Sequence, residues 1–495
     1  MQNKKGEFKL AEELRKAKIP EKKRKIILQN VREKLEKEKT MKLSIKEGAS
    51  ASAMTGFGSD YITPYALALN ANNAQIGFLS SIPGLLSPLS QIFGSKLMEK
   101  YSRKKIIVFF VFLQALMWLP ILLLSLLFWK NIFSIYLPII LIVFYAIYAI
   151  LGAIAGPSWF SLMGDIVPGK IRGRYFGKRN KIAGVVALIA TITAAFILDF
   201  FKTKGFLLIG FSLLFFLACI FRLFSSSLFK KHYDPHFKLE KGYYFSIFQF
   251  IKKAPSNNFG RFVIFVALIQ FATIIAGPFF AVYMLKDLGF SYTTFMLVNI
   301  SSSIASLLFM PLWGKFSDKF GNRELLRIGA FLIPFFPILW LFSSSPTYLI
   351  LVPQLLGGIG WAAFNLATSN FIYDSVTPQK RGICVSYYNI FIGTGVFLGA
   401  TLGGLMAHYL TITFMNKLLF IFLTSGVIRL LIALIMMPRI KEIKKVTKPA
   451  KNPILYFKEI RPVRGVILEI LNDMRGIGRR IKKGFKIKKT NATTH

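Results

Sequence analysis

Two stretches of this chain, 209 residues apart, share one pattern: DIVPGKIRG runs from Asp165 to Gly173, and DSVTPQKRG runs from Asp374 to Gly382. In each, an acid ends an apolar segment, a Pro-containing turn follows, and Lys, Arg and Gly lead into another apolar segment. A second pair of loops, GSKLMEKYSRKK from Gly94 and GKFSDKFGNRELLR from Gly314, lies 220 residues apart. Two pairs of similar elements, separated by nearly the same number of residues, indicate an internal duplication.

The composition predicts a helical membrane protein. Hydrophobic residues make up 54% of the 495 residues and the mean hydropathy is +0.52. Many uncharged runs exceed the roughly 20 residues that a helix needs to cross the hydrocarbon core, whereas the short alternating segments of a transmembrane barrel are absent. Both cysteines, Cys219 and Cys384, fall in apolar runs, so a disulfide scaffold is excluded.

The first apolar segment is the weakest, because it carries Gly56, Gly58, Asp60 and Pro64. Hydropathy alone would give eleven spans, but the duplication favours twelve, since this segment precedes the Gly94 loop much as a later one precedes the Gly314 loop. The predicted spans are 49–69, 75–97, 104–128, 134–163, 180–200, 205–228, 261–285, 293–316, 324–344, 347–373, 384–409 and 413–438.

The charge distribution supports an even number of spans. The chain has 64 Lys plus Arg against 22 Asp plus Glu, a formal net charge of +42. With twelve spans, nearly all basic residues fall on one side, as expected for the cytoplasmic flanks of membrane helices. We therefore expect a multi-pass protein of the cell membrane with both termini in the cytoplasm. The chain contains no recognisable nucleic-acid-binding module, so nucleic acid is not an expected partner.

The predicted organisation has five parts, of which the last interleaves apolar and basic residues as an interfacial helix does. We expect that tail to bind an anionic leaflet, because each basic residue near such a surface contributes roughly 1 kcal/mol. The parts are a charged N-terminal extension (1–48), a six-helix bundle (49–228), a basic linker (229–260), a second six-helix bundle (261–438) and a basic amphipathic tail (439–495).

The loops resemble those of the major facilitator superfamily of secondary transporters, and the match covers residues 50–438. In the second half the family's G-x-x-x-D-R/K-x-G-R/K-R/K loop is matched by Gly314, Asp318, Gly321 and Arg323. The first half departs from it, since Met98 occupies the acid position and Glu99 comes one residue later. The resemblance implies an all-α membrane protein with 12 transmembrane helices in two pseudo-symmetric six-helix bundles, working by alternating access, commonly as a monomer.

The repeated loops carry candidate conformational latches, because an acid and an arginine on facing helix ends pair only when those ends are close together. The resemblance implies that two such clusters stabilise an outward-facing state. The alternative is that these residues are ordinary basic flanks with incidental acids. The latch candidates are Asp318, Arg323, Asp374 and Arg381 in one cluster and Glu99, Arg103, Asp165 and Arg172 in the other, with Gly94, Gly173, Gly314, Gly321 and Gly382 in the turns.

Asp60 is the leading substrate or proton candidate, because it lies near the middle of the first predicted span. A charged acid there costs about 3 kcal/mol unless it is paired, solvated or protonated. We hypothesise that Asp60 binds a proton or a cationic group; alternatively, the first span is shifted and Asp60 is interfacial. The remaining candidates could line a cavity or form ordinary interhelical hydrogen bonds and packing: Tyr61, Gln114, Tyr145, Gln270, Asn299, Trp361, Asn365 and Asn389.

Arg222 and Arg429 repeat 207 residues apart near the ends of the sixth and twelfth predicted spans. We interpret both as side chains that extend to the lipid headgroups. His232 and His236 bracket Asp234 in the linker, but Pro235 breaks any helix there, so a metal site is not expected.

The expected function is secondary transport of a small solute, with proton coupling through Asp60 as a hypothesis. No nucleotide-binding loop or catalytic cluster is present, so neither an enzyme nor a cofactor is expected. The alternative is a sensor, binding protein or lipid-moving protein built on the same scaffold.

Overall fold

The structure, a computed structural model, describes residues 20–168, 171–235, 246–376 and 378–443; for residues 172–174 and 378–382 it describes the backbone alone. Every regular element in these ranges is helical. For the latch candidates Arg172, Gly173, Arg381 and Gly382, therefore, only the backbone is described. His236 and the tail beyond residue 443 lie outside the described residues.

The first half of the chain forms helices at each of the predicted membrane-crossing segments, but the first helix begins at Glu21, well before the predicted start at residue 49. The first crossing is interrupted, since α1 ends at Phe57 and a short 3₁₀ turn, Ser59–Tyr61, separates it from α2. The helices are α1 Glu21–Phe57, α2 Ile62–Ala68, α3 Asn73–Leu97, α4 Arg103–Leu116, α5 Trp118–Trp129, α6 Leu137–Ile166, α7 Arg172–Thr203 and α8 Leu207–Lys230.

The second half repeats this arrangement after a short linker helix, α9. Its helices are also interrupted, with π-helical turns at Tyr283–Asp287 and Ile350–Gln354. The helices are α9 Ile247–Lys253, α10 Asn258–Ala276, α11 Phe279–Val282, α12 Tyr292–Phe320, α13 Asn322–Leu332, α14 Phe335–Leu339, α15 Pro346–Leu349, α16 Leu355–Ser375, α17 Pro378–Tyr409 and α18 Lys417–Met436.

Ten helical segments in the described ranges are long and apolar enough to cross a membrane. The predicted spans outside this set are 49–69 and 324–344, and both are helical but broken, the second at Ile333 and Pro334 between α13 and α14. The architecture is therefore an all-α membrane fold, consistent with twelve crossings.

The first crossing extends beyond the membrane without a break, because α1 runs continuously from Glu21. Thr40, Ser44 and Glu47 on this helix are buried against the rest of the first half. The Tyr175 hydroxyl also donates a 3.0 Å hydrogen bond to the backbone oxygen of Met41. Residue 48 therefore lies inside a helix, and the residues just before it belong to the packed bundle.

The two halves meet along α3 and α17. Gly77 lies so close to Ala400 and Gly404 that a Cβ atom on Gly77 would come within 2.7 Å of both backbones. Asn73 Nδ2 donates a 3.0 Å hydrogen bond to the Ala407 backbone oxygen at one end of this seam. Helices approach this closely only where one side chain is absent, so the glycine is required by packing.

The loop 98–102, the end of α6 at Ile166 and the break at Gly321 lie at one membrane face, which we call the basic face. We call the other the opposite face. At the opposite face the halves are joined a second time, by α7 and α12. The carboxylate of Asp199 accepts 2.8 Å hydrogen bonds from the backbone N–H groups of Tyr292 and Thr293. Lys202 also lies over the Tyr292 ring, 5.6 Å from its centroid. The halves are therefore fastened together at the opposite face.

Candidate functional site

A cavity of about 430 Å³ lies between the halves on the basic-face side of the seam. α3 contributes Ser87 and Gln91, α6 contributes Tyr145, and α17 contributes Asn389. The amide of Asn389 donates a 3.3 Å hydrogen bond to Gln91 Oε1, across the two halves. Two of the polar candidates, Tyr145 and Asn389, are therefore brought together in one cavity wall.

Asp60 lies in the 3₁₀ turn that interrupts the first crossing, and its side chain is exposed. One carboxylate oxygen accepts a 2.9 Å hydrogen bond from Thr191 Oγ1 on α7. No cation forms an ion pair with Asp60 in the described ranges. A carboxylate without a cation, placed at a helix break inside a membrane fold, is available to bind a proton or a positively charged group.

Two stacked tyrosines connect Asp60 to the cavity. The rings of Tyr145 and Tyr148 stack with centroids 5.5 Å apart, and the Tyr148 hydroxyl lies 3.2 Å from Ser59 Oγ. Ser59 immediately precedes Asp60 in the turn. Asp60 does not itself line the 430 Å³ cavity, so its link to that cavity runs through these rings.

The other polar candidates are placed separately. Tyr61 is fully buried and donates a 2.6 Å hydrogen bond to the Thr191 backbone oxygen, which fixes the turn that carries Asp60. Asn299 donates to the Phe295 backbone oxygen of its own helix. The cavity lining also excludes Gln270 on α10 and Trp361 on α16, which are half-buried, and Asn365 on α16, which is exposed.

The first candidate latch contains a close ion pair. Arg103, 1% exposed, donates a 2.6 Å hydrogen bond from Nη1 to Asp165, and its Nε lies 3.5 Å from Asp234. Glu99 is exposed in the turn after α3. Gly94 is in direct contact with the Ile154 backbone, which brings α3 and α6 together. The described members of this cluster all belong to the first half and its linker.

The second candidate latch is arranged differently from the expectation. Arg323 donates to the Ile440 backbone oxygen at 2.6 Å and to Glu324 at 2.8 Å, and Asp374 instead accepts a 2.6 Å hydrogen bond from Asn322 Nδ2. Gly321 has a φ of 93°, which explains the requirement for glycine between α12 and α13. Asp318 is exposed on the last turn of α12, and Gly314 lies one turn earlier with open space around its Cα.

The interpretation of Arg222 and Arg429 as headgroup-reaching side chains is wrong. Arg429 is 1% exposed and donates to Ser425 Oγ and to the backbone oxygens of Ile333 and Thr273. Arg222 donates two hydrogen bonds, of 2.8 and 2.6 Å, to Gln114 Oε1. Both guanidinium groups point into their bundles because polar groups on neighbouring helices bind them there.

A second pocket, of about 240 Å³, lies inside the first half, and sequence reasoning did not find it. We call it the first-half pocket. Its walls include Glu47, Arg179 and Arg222. Glu47 was missed because the predicted boundary at 48 placed it in the extension, and Arg179 because it looks like one more basic flanking residue. The repeat of Arg222 at Arg429 was the available indication of an interior role.

Comparison with known proteins agrees with this architecture. The family model described as Major Facilitator Superfamily matches residues 48–276 and again residues 262–475. An uncharacterized MFS-type transporter of Methanocaldococcus jannaschii is 26% identical over 376 residues, which cover 74% of this chain and 91% of that protein. Vacuolar basic amino acid transporter 1 of Saccharomyces cerevisiae is 33% identical over a shorter stretch of 112 residues, 23% of this chain and 18% of that protein.

Among solved structures, a point mutant of the nucleoside transporter NupG superposes with a TM-score of 0.61. The alignment covers 81% of this chain and all of that one, at 18% sequence identity. At this identity the likeness concerns the fold.

Proposed function

The chain belongs to the Major Facilitator Superfamily of membrane transporters, and we propose that it moves a small solute by alternating access, with Asp60 exchanging a proton or a cationic group. The observation that carries this proposal is the position of Asp60, exposed at the break in the first crossing and without an ion-pair partner in the described ranges. When a conformational change removes water from around a carboxylate, the group must bind a proton or a cation. Such a carboxylate can therefore couple proton binding to the conformational change.

The arrangement of the halves supports alternating access. They are fastened at the opposite face through Asp199, and the 430 Å³ cavity lies on the basic-face side. Membrane proteins place their basic loops in the cytoplasm. We therefore propose that the basic face is cytoplasmic, that the protein resides in the cell membrane with both termini inside, and that this state faces the cytoplasm. The Arg103–Asp165 pair is already formed within the first half in this state, so a latch that stabilises the outward-facing state would need further contacts between the Arg103 and Arg323 loops across the two halves.

The kind of solute, the lipid partners and the oligomeric state follow from the same proposal. The solute would be small and cationic or amphipathic, because Asp60 is the acid exposed at the break. The tail would bind anionic lipids, and the bundle would work as a monomer.

Flux measurements in proteoliposomes with a preset pH gradient test the proposal. Ethidium and L-arginine serve as cations of different polarity, and D-xylose as an uncharged control. We expect gradient-driven uptake of at least one cation, lost in Asp60→Asn, with Asp287→Asn as the matched control because Asp287 is exposed and hydrogen-bonds Asn416 far from the cavity. Saturable binding without flux would support the sensor alternative instead, and flux that Asp60→Asn leaves unchanged would remove the coupling role.

A further inference from the structure

The first-half pocket is lined by more positive than negative charge. Arg179 and Arg222 each contribute one guanidinium, and Glu47 is the one carboxylate among the lining residues. The lining residues come from α1, α4, α6, α7 and α8. Because a charge inside a membrane bundle is costly unless it is compensated, one positive charge remains to be balanced here.

The carboxylate of Glu47 is directed to Arg179. Glu47 is 3% exposed, and its Oε2 lies 3.1 Å from Arg179 Nη2 while its Oε1 accepts from Ser225. Arg179 also donates to the Ser44 backbone oxygen and lies over the Trp159 ring, 4.9 Å from its centroid. The Glu47–Arg179 pair is therefore satisfied by protein atoms alone.

Arg222 has no carboxylate partner within the described ranges. It donates through Nε and Nη2 to Gln114 Oε1 and through Nη1 to Ser225 Oγ. A guanidinium has five N–H donors in a planar fork, so two of them are left without a protein acceptor. These donors belong to a residue that lines the pocket, where a carboxylate could accept them.

Arg429 shows that the pocket, and not burial alone, sets Arg222 apart. Arg429 occupies the repeated position in the second half and also lacks a carboxylate in the described ranges, but it is 1% exposed and two of its three hydrogen bonds go to backbone carbonyls. In the first half the corresponding space is a 240 Å³ pocket. The repeated arginine therefore lines a pocket in the first half, whereas in the second half it is almost fully buried among backbone carbonyls.

The remaining wall of the pocket is apolar and has an open edge. Val111 on α4 and Phe229 on α8 form part of this wall. On α6, Gly156 is exposed, and a Cβ atom there would meet nothing within 4 Å. A ligand can thus enter beside Gly156, place a charged group at Arg222 and bury an apolar body against the wall.

We propose that the first-half pocket binds a small organic monoanion, a monocarboxylate held by Arg222 with its apolar part against Val111 and Phe229. One negative charge matches the one uncompensated positive charge. A dianion would leave a negative charge buried, and a cation would repel both guanidinium groups. This inference is independent of the transport proposed for Asp60, because it concerns another pocket and another charge.

Equilibrium dialysis of the purified full chain in detergent with radiolabelled benzoate tests the inference. We expect saturable binding that unlabelled butyrate displaces and that benzylamine, of similar shape and opposite charge, does not. Displacement by laurate at much lower concentration than butyrate would identify a fatty acid as the source of the carboxylate. Displacement by butyrate and laurate at similar concentrations would identify a water-soluble carboxylate as the ligand. Chloride displacing benzoate as effectively as butyrate would overturn the organic part of the proposal.

Three variants locate the site. Arg222→Gln removes the charge and should weaken benzoate binding at least tenfold. Gly156→Leu blocks the open edge without changing any charge and should weaken it similarly. Glu47→Gln removes the one negative charge of the pocket and should tighten benzoate binding at least threefold, because the pocket then repels the anion less.

Lys178→Gln is the matched control, because Lys178 is exposed on the same helix as Arg179, one residue away, and lies outside the pocket lining. It removes one positive charge and should leave benzoate binding unchanged. Gel-filtration profiles like that of the parent would show that the variants fold. No saturable benzoate binding by the parent, or unchanged binding in both Arg222→Gln and Gly156→Leu, would overturn the proposal.

Discussion

Asp199 Oδ1 accepts a 2.8 Å hydrogen bond from the backbone N–H of Tyr292, and this bond joins the two halves of the molecule at the opposite face. The second carboxylate oxygen accepts from the next backbone N–H, so the acid caps the first turn of α12. A carboxylate is favoured there by the unpaired N–H groups and by the helix dipole. The contact can exist only while the halves are closed at this face.

Replacing Asp199 should therefore favour opening of the opposite face. Loss of a helix-capping acid costs about 1–2 kcal/mol, which would change the ratio of the two conformations roughly tenfold. Spin labels placed on the outer ends of α7 and α12 should show a larger population of long distances in Asp199→Ala than in the parent. Asp199→Asn retains an acceptor and should fall between them. Distances that do not change would show that the cap does not hold this face closed.

The pair of Arg103 and Asp165 should contribute to stability within the first half. Arg103 is buried while Asp165 is half exposed, so Arg103→Gln should lower the free energy of unfolding by roughly 2 kcal/mol, less than for a fully buried pair. Thermal unfolding in detergent measures this. Arg327→Gln is the control, because Arg327 pairs with Glu324 through an exposed side chain and should change stability little. Equal effects of the two variants would contradict the role assigned to Arg103.

Stability should also depend on pH through His232, which follows α8 outside the membrane crossing. The imidazole is 2% exposed, and its Nδ1 lies 2.9 Å from the Leu228 backbone oxygen. Burial lowers the pKa of His232, although the Leu228 carbonyl and the Glu47 carboxylate partly oppose this. The folded protein then binds this proton less readily than the unfolded chain does.

The free energy of unfolding should consequently be highest above the unfolded pKa of about 6.5 and decrease as the pH falls through it toward the lower folded value. We expect the midpoint temperature of thermal unfolding to decrease as the pH is lowered from about 7.5 to about 5.5. In His232→Gln this decrease should be smaller. His408, exposed at the end of α17, provides the control variant His408→Gln. If both variants kept the full pH dependence, other groups would be responsible for it.

The glycine seam between α3 and α17 predicts opposite effects at two glycines. A methyl group on Gly77 would meet the Ala400 and Gly404 backbones at 2.7 Å, so Gly77→Ala should destabilise the protein by about 1–3 kcal/mol. Gly177 on α7 has nothing within 4 Å of an added Cβ. Gly177→Ala should therefore stabilise the protein by roughly 0.5–1 kcal/mol through helix propensity. Thermal unfolding of the two variants compares them, and the same sign for both would contradict the seam.

The fold could be predicted from the sequence because only a few kinds of structure can span a membrane. Apolar runs long enough to cross, and loops repeated at 165–173 and 374–382, determine the class and the duplication. The first boundary could not be placed, because residues 21–48 are polar enough to be outside the membrane and helical enough to continue into it. Hydropathy shows which residues of a span are apolar, but it does not show at which residue the helix begins.

Side-chain partners were harder to predict, because they come from helices far apart in the chain. Gln114 binds Arg222 across 108 residues, and Asp199 reaches Tyr292 across 93. An arginine close to a span's end looks like a side chain that reaches the headgroups unless its partners are known. In the second latch, likewise, only the folded chain shows that Asn322 donates to Asp374 while Arg323 binds elsewhere.

Labelling of Ser87→Cys tests the central claim, a cavity open to one face at a time, most directly. Ser87 lines the 430 Å³ cavity, and both native cysteines are buried and can be replaced. A membrane-impermeant maleimide should modify Ser87→Cys from the basic face in the parent background. When Asp199→Ala is added, the maleimide should modify this cysteine from the opposite face faster than it does in the parent background. Modification from both faces at equal rates in the parent, or from neither face in any background, would contradict alternating access.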